Sequence, residues 1–149
     1  LEDRLPGSEL TAGEAILSPT RTYLPVIREL LAAHRTDIAA IIHCTGGGQV
    51  KCRDFGSGLR YVKDNLLPVP PVFAAIQESG QISSAEMYQV FNMGHRLELY
   101  CTEASAADLI GIAARFNLEA RIIGHVEASP DPARNEVIIK AAGEEHRYI

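Results

Sequence analysis

Cysteine is scarce in this chain and unpaired: Cys44, Cys52 and Cys101 form an odd set with no Cys-x-x-Cys. That excludes a disulfide framework and a zinc knuckle, and it fits a reducing cytosol. Long apolar runs are missing as well. No stretch approaches the ~20 residues that span a bilayer, and no charged-then-apolar leader opens the sequence. Nor is there a basic stripe. The fourteen Lys and Arg are scattered and the formal net charge is −5, so a nucleic-acid partner is not expected. Internal repeats, low-complexity segments and an initiator Met are also absent. Leu1-Glu2-Asp3-Arg4 runs straight into Pro6-Gly7-Ser8, so residues 1–13 read as a linker or loose arm, and the chain as a piece of a longer one.

What remains is ordinary in bulk. The 149 residues are 46% hydrophobic and 22% charged, the size and balance of one globular domain, placed here at residues 14–149. A short segment, Gly13 to Leu17, is punctuated by Ser18-Pro19-Thr20. The spacing of Leu24, Ile27, Leu30 and Leu31 predicts a helix from about Tyr23, with Pro25 tolerated in the first turn. Ile38 to Ile42 reads as a buried strand, Gln49 to Gly58 as a polar loop, and Leu59 to Lys63 as a second strand. The prolines of Leu66 to Pro71 make an extended connector, followed by a helix over Pro71–Glu78 and another capped by Ser83 or Ser84, with Met87, Val90 and Phe91 on one face. Leu97, Leu99 and Cys101 alternate with Arg96, Glu98 and Tyr100 in a half-buried strand. An amphipathic helix over Ala104–Phe116 turns Leu109, Ile112, Ala113 and Phe116 inward. Two strands, Ala120–Val126 and Glu136–Ala141, are joined by the Pro130-Asp131-Pro132 turn, and a last one spans Glu145–Ile149. Helices interleaved with strands predict a layered α+β domain, a mixed β-sheet covered by helices.

The chemistry concentrates after the first strand, where Ile41-Ile42-His43-Cys44-Thr45 opens into Gly46-Gly47-Gly48. Consecutive glycines let the backbone take positive φ, and their N–H groups form a concave nest suited to an anion; a glycine triplet is also an ordinary turn. His43, at the strand end, is either an acid or base near neutral pH or a hydrogen-bonded structural residue. His95 is either a ligand contact or a solvated strand-end residue. Cys44, Cys52 and His43 lack a second pair at ligand spacing, so no metal site is expected.

Five motifs in order carry a resemblance. They are Pro19-Thr20-Arg21-Thr22-Tyr23, His43-Cys44-Thr45-Gly46-Gly47-Gly48, Pro70-Pro71-Val72-Phe73 with Ile76-Gln77 and Gly80, Glu86 through Gly94, and Ile123-Gly124-His125-Val126. From about Leu17 to Ala128 the chain resembles the C-terminal domain of aminoimidazole ribonucleotide synthetase, also called phosphoribosylformylglycinamidine cyclo-ligase. The resemblance implies half of an ATP-dependent enzyme of cytoplasmic purine biosynthesis, inactive without an N-terminal half that carries most of the ATP and Mg²⁺ site and the homodimer contact. In the family reaction ATP phosphorylates the formyl-derived amide oxygen of formylglycinamidine ribonucleotide, the amidine nitrogen closes the imidazole ring, and phosphate leaves.

On this resemblance Thr45, Gly46, Gly47 and Gly48 bind the substrate phosphate, while His43, Lys51, Arg53, Asn92, Gly94 and His95 are cleft contacts. The chain departs from the family pattern in three places. Pro25 stands where a lysine usually follows the tyrosine, Gln49 to Asp54 replaces an acidic-Asn-Pro-Arg continuation, and Arg96 replaces a second glycine. Lys51 or Arg53 then substitutes for the lost cation. Two other readings share this architecture: a non-catalytic module that binds a phosphometabolite or serves assembly, and another ATP-using enzyme with a different acceptor.

Overall fold

A computed structural model describes residues 1–149. Helix α1 (Ala12–Leu17) starts on a capping box in which Thr11 and Glu14 satisfy each other's backbone N–H groups. Helix α2 (Leu24–His34) carries Pro25 in its first turn, and strand β1 (Ile38–His43) follows. A 3-10 helix over Gly48–Asp54 leads to β2 (Leu59–Lys63), then α3 (Pro71–Gly80), α4 (Ser84–Val90) and β3 (Leu97–Cys101). The Ser83 hydroxyl accepts the Glu86 N–H and caps α4. Helix α5 (Ala106–Arg115) and strands β4 (Gly124–Ala128), β5 (Glu136–Ala141) and β6 (Glu144–Tyr148) complete the chain.

The layered α+β arrangement is the expected one, with its strands divided between two sheets. β1 pairs antiparallel with β3, and a second, mixed sheet has the order β4-β2-β5-β6. The Pro130–Pro132 turn does not close a hairpin. β4 and β5 run antiparallel to each other, but β2 is threaded between them, antiparallel to β4 and parallel to β5. The buried runs explain this choice: Val137, Ile138 and Ile139 are all buried, so β5 takes a central place rather than an edge.

Between the sheets lies the larger core, in which Ile42, Tyr61, Met87, Val137, Ile139 and Tyr148 are buried. A second cluster, Val26, Leu30, Ile38, Leu109 and Ile112, packs α2 and α5 on the opposite face of the β1–β3 pair. Leu109, Ile112 and Ala113 turn inward as the periodicity predicts, whereas Leu24 in the first turn of α2 stays 73% exposed. Three expectations change. Residues 1–13 are not a loose arm, because Arg4 bridges to Thr11, the Leu5 N–H donates to the Leu10 carbonyl, and Leu5 is buried. The stretch after the glycines is not an open loop, because Gln49, Val50 and Cys52 turn into the core on one side of the 3-10 helix. The strand expected from Ala120 begins only at Gly124.

No helix is long and apolar enough to cross a membrane. On the outer side of the larger sheet, the buried Glu136 carboxylate sits between Arg60 and Arg147 at 2.5 and 2.6 Å. Burial alone would raise that carboxyl, and the two guanidiniums more than reverse it, holding it below its ordinary value.

Candidate functional site

At the end of β1 the chain turns sharply. Thr45 donates its N–H to the His43 carbonyl at 2.9 Å and Gly48 donates to the Thr45 carbonyl at 3.0 Å, so both of those amides are spent within the turn. Gly46 and Gly47 are exposed, and their N–H groups have no acceptor in the chain. Gly47 and Gly48 have φ of +87° and +50°, the left-handed region that glycine enters without strain. Gly48 has a further constraint: a Cβ there would fall on the backbone of Phe91, the residue that ends α4. The third glycine therefore lets two loops touch, and the first two leave donors free.

One cation joins this corner. Lys51, on the 3-10 helix, donates from Nζ to the His43 carbonyl at 3.0 Å and to Thr45 Oγ1 at 2.8 Å. A single ammonium thus sits beside two unpartnered amides and a hydroxyl that still has its proton to give, an arrangement suited to an oxyanion. Arg53 is not part of it. Its Nη1 donates to the Ile149 main-chain oxygen at 2.9 Å, because the 3-10 helix turns that side chain away from the glycines.

The second predicted loop meets the first. Asn92 donates from Nδ2 to the Cys44 carbonyl at 3.3 Å, and its Oδ1 accepts the Gly94 N–H at 3.0 Å. His43, Thr45, Asn92 and Gly94 line an open groove of about 1590 Å³ that residues of β2, β3 and β4 also border. His43 packs edge-on against Tyr23, with ring centroids 6.0 Å apart. His95 also lines the groove, but it is almost wholly buried there rather than a solvated strand-end residue. Its Nε2 accepts the Leu67 N–H at 2.9 Å, and burial lowers its pKa to about 4, with the Glu98 carboxylate opposing that shift.

No sequence motif marks the groups beneath the corner. Gln49 is fully buried, and its Nε2 donates to the Asn92 carbonyl at 2.7 Å. Lys63 on β2 donates from Nζ to the Gln49 carbonyl at 2.6 Å, to Gln49 Oε1 at 3.2 Å and to Glu98 Oε1 at 2.6 Å. The other Glu98 oxygen accepts the Tyr100 hydroxyl at 2.7 Å. Burial, and then the neighbouring Glu98 carboxylate, push the Cys44 thiol and the Tyr100 phenol well above their ordinary values. Burial also raises Cys52, against the pull of Lys63. The one available signal was positional: Lys63 shares its strand face with Tyr61, and that face is the core. No group of three or more His, Cys, Asp or Glu converges as a metal site would require.

Comparison with known proteins gives the family. The family model described as AIR synthase related protein, C-terminal domain, matches residues 5–135. A phosphoribosylformylglycinamidine cyclo-ligase of Methanopyrus kandleri is 36% identical over 127 residues, covering 85% of this chain and 36% of the relative. A trifunctional purine biosynthetic protein adenosine-3 of Drosophila pseudoobscura pseudoobscura is 36% identical over 143 residues, covering 94% of this chain and 10% of the relative. The chain therefore spans about a third of the first of these proteins and a tenth of the second. The crystal structure of E. coli HypE, a hydrogenase maturation protein, superposes with a TM-score of 0.59 at 18% identity, covering 87% of this chain and 40% of that one, a likeness of fold. With its family model matched over residues 5–135, the chain belongs to the AIR synthase related protein family, as a C-terminal domain.

Proposed function

We propose that this chain is the phosphoribosyl-binding half of an ATP-dependent cyclo-ligase that converts formylglycinamidine ribonucleotide to aminoimidazole ribonucleotide. The observation that carries it is the pair of unpartnered Gly46 and Gly47 amides beside the Lys51 ammonium and the Thr45 hydroxyl. The ribose 5′-phosphate sits on those four groups at the mouth of the groove, which Thr45, Asn92 and Gly94 border. Lys51 is the cation that stands in for the family's lysine, whose place Pro25 occupies. Thr45, Gly46 and Gly47 supply donors, and Gly48 supplies the close packing that holds them.

ATP, Mg²⁺ and the homodimer contact belong to the part of the relatives that this chain does not span, and the isolated chain is inactive without it. In the assembled enzyme the γ-phosphoryl of ATP passes to the amide oxygen of the substrate, leaving ADP. The amidine nitrogen then attacks that carbon, the carbon–oxygen bond breaks, and inorganic phosphate departs. This chain's part in such a reaction is positioning, which lowers the barrier by fixing the nitrogen near the activated carbon.

The test is a titration of the ¹⁵N-labelled chain with aminoimidazole ribonucleotide, followed by NMR. Saturable shifts at Gly46, Gly47, Thr45 and Asn92 are expected. Absence of shifts at millimolar ligand, or shifts confined to other surfaces, overturns this placement of the phosphate.

A further inference from the structure

The Lys63–Glu98 pair sits where charge is costly. Both side chains are 4% exposed, and together they form the one buried ion pair between the two sheets. All three ammonium protons have acceptors, and both carboxylate oxygens have donors. Desolvation of two such groups offsets most of their attraction, so the ion pair as such adds little to stability. Stability alone does not explain the pair.

Its hydrogen bonds point to another role. Two of the three from Lys63 end on Gln49, one on the carbonyl and one on the side-chain oxygen. That fixes which way the Gln49 amide faces, because an amide whose oxygen accepts from Lys63 must present its nitrogen elsewhere. The nitrogen goes to the Asn92 carbonyl, and Asn92 in turn donates to the Cys44 carbonyl. Gln49 directly follows the third glycine and Cys44 stands two residues before the first. Both ends of the glycine corner are therefore tied to one hydrogen-bonded chain that begins at a buried charge.

We propose that Lys63, held by Glu98, is a positioning residue for the glycine corner, acting through Gln49 and Asn92 to set the direction of the Gly46 and Gly47 amides. The idea rests on the phosphoribosyl reading only for its consequence in binding; the geometry of the corner can be read without ligand. The charge is essential to the device. A neutral side chain at position 63 frees the Gln49 amide to rotate, and the ends of the corner then lose their common anchor.

The experiment compares the parent chain with Lys63→Met/Glu98→Leu and with Gln49→Met, which leaves the ion pair in place but cuts the link. Thermal midpoints, ligand-free amide resonances and affinity for aminoimidazole ribonucleotide are measured on each. The double variant is expected to stay folded, with a midpoint lowered by the Gln49 oxygens and Tyr100 hydroxyl it leaves unpaired, while its Gly46 and Gly47 resonances shift or broaden and affinity falls about tenfold or more. Gln49→Met is expected to disturb the same two resonances. A folded double variant whose Gly46 and Gly47 resonances superimpose on the parent's overturns the proposal, and the pair is then only a tie between sheets. Should the double variant fail to fold, Gln49→Met decides, and unchanged resonances there overturn it equally. A parent chain that binds no ligand counts against the phosphoribosyl reading, and the resonance comparison still judges this one.

Discussion

His95 Nε2 accepts the backbone N–H of Leu67 at 2.9 Å, pinning the turn after α4 to the proline-rich connector. An accepting Nε2 places the ring proton on Nδ1, and protonation would destroy the acceptor. Burial lowers the native pKa to about 4. The unfolded chain takes up the same proton near pH 6.5, so between those values it binds more protons than the native state. Stability is therefore full above pH 6.5 and lost as pH falls toward 4, by about 3 kcal/mol at the bottom of the window. Urea unfolding at pH 7, 5.5 and 4.5 measures the slope, and His95→Gln should flatten it. An equal slope in that variant would show that other groups carry the acid sensitivity.

The three glycines should separate cleanly by substitution. Gly48→Ala combines a left-handed backbone with a Cβ on the Phe91 backbone and should cost about 3 kcal/mol or more. Gly46 has open space around it, so Gly46→Ala should change stability by no more than about 0.5 kcal/mol. Gly47→Val forces a β-branched residue into φ near +87° and should abolish phosphoribosyl binding while the domain stays folded. Thermal unfolding and ligand titration of the three variants check the order.

Lys51 and Arg53 lie two residues apart and should behave oppositely. Lys51→Met removes the ammonium beside the free amides and should weaken aminoimidazole ribonucleotide binding by roughly 10- to 100-fold with little change in folding, the scale of a charge-assisted hydrogen bond. Arg53→Ala loses the tie to Ile149 and a 4.0 Å ion pair with Asp54, both away from the glycines, and should leave affinity unchanged. Calorimetric titration of both variants tests the assignment; equal losses would place the anion between the two side chains instead.

Burial and high thiol pKa protect Cys44 and Cys52. Neither should react with a thiol reagent at pH 8 in the native chain, since the thiolate is the reactive form. Both should become reactive on unfolding in denaturant, a difference that a colorimetric count of thiols in the two states reveals.

The parts of the fold with strong local signals were legible in the sequence. The 3.6-residue spacing of Leu109, Ile112 and Ala113 found α5, the serine cap found α4, and the apolar run ending in glycines found β1. Pairing was harder to read. Nothing local to Pro130-Asp131-Pro132 reveals that β2, over seventy residues upstream of β5, enters between the strands it joins. At the corner, the glycines, Lys51 and Asn92 were legible by type and order. His95 was read as facing outward because a histidine's burial depends on a distant partner, here the Leu67 amide. Lys63 and Glu98 were passed over for the same reason: alternation in β3 assigns Glu98 to a half-exposed face, and only a lysine from another sheet makes that face an interior.

The insertion of β2 between two later strands also sets an order of assembly. On a growing chain Leu59–Lys63 is made well before Gly124–Ala128 and Glu136–Ala141, so Tyr61 and Lys63 have no ladder to join until the last fifth of the sequence appears. Pairings across such sequence distances close late. Gln49 hangs on Lys63, so the glycine corner, although encoded in the first third, takes its final shape only when the last strands arrive. A nascent chain halted before Glu136 would carry every helix and an unfinished glycine corner.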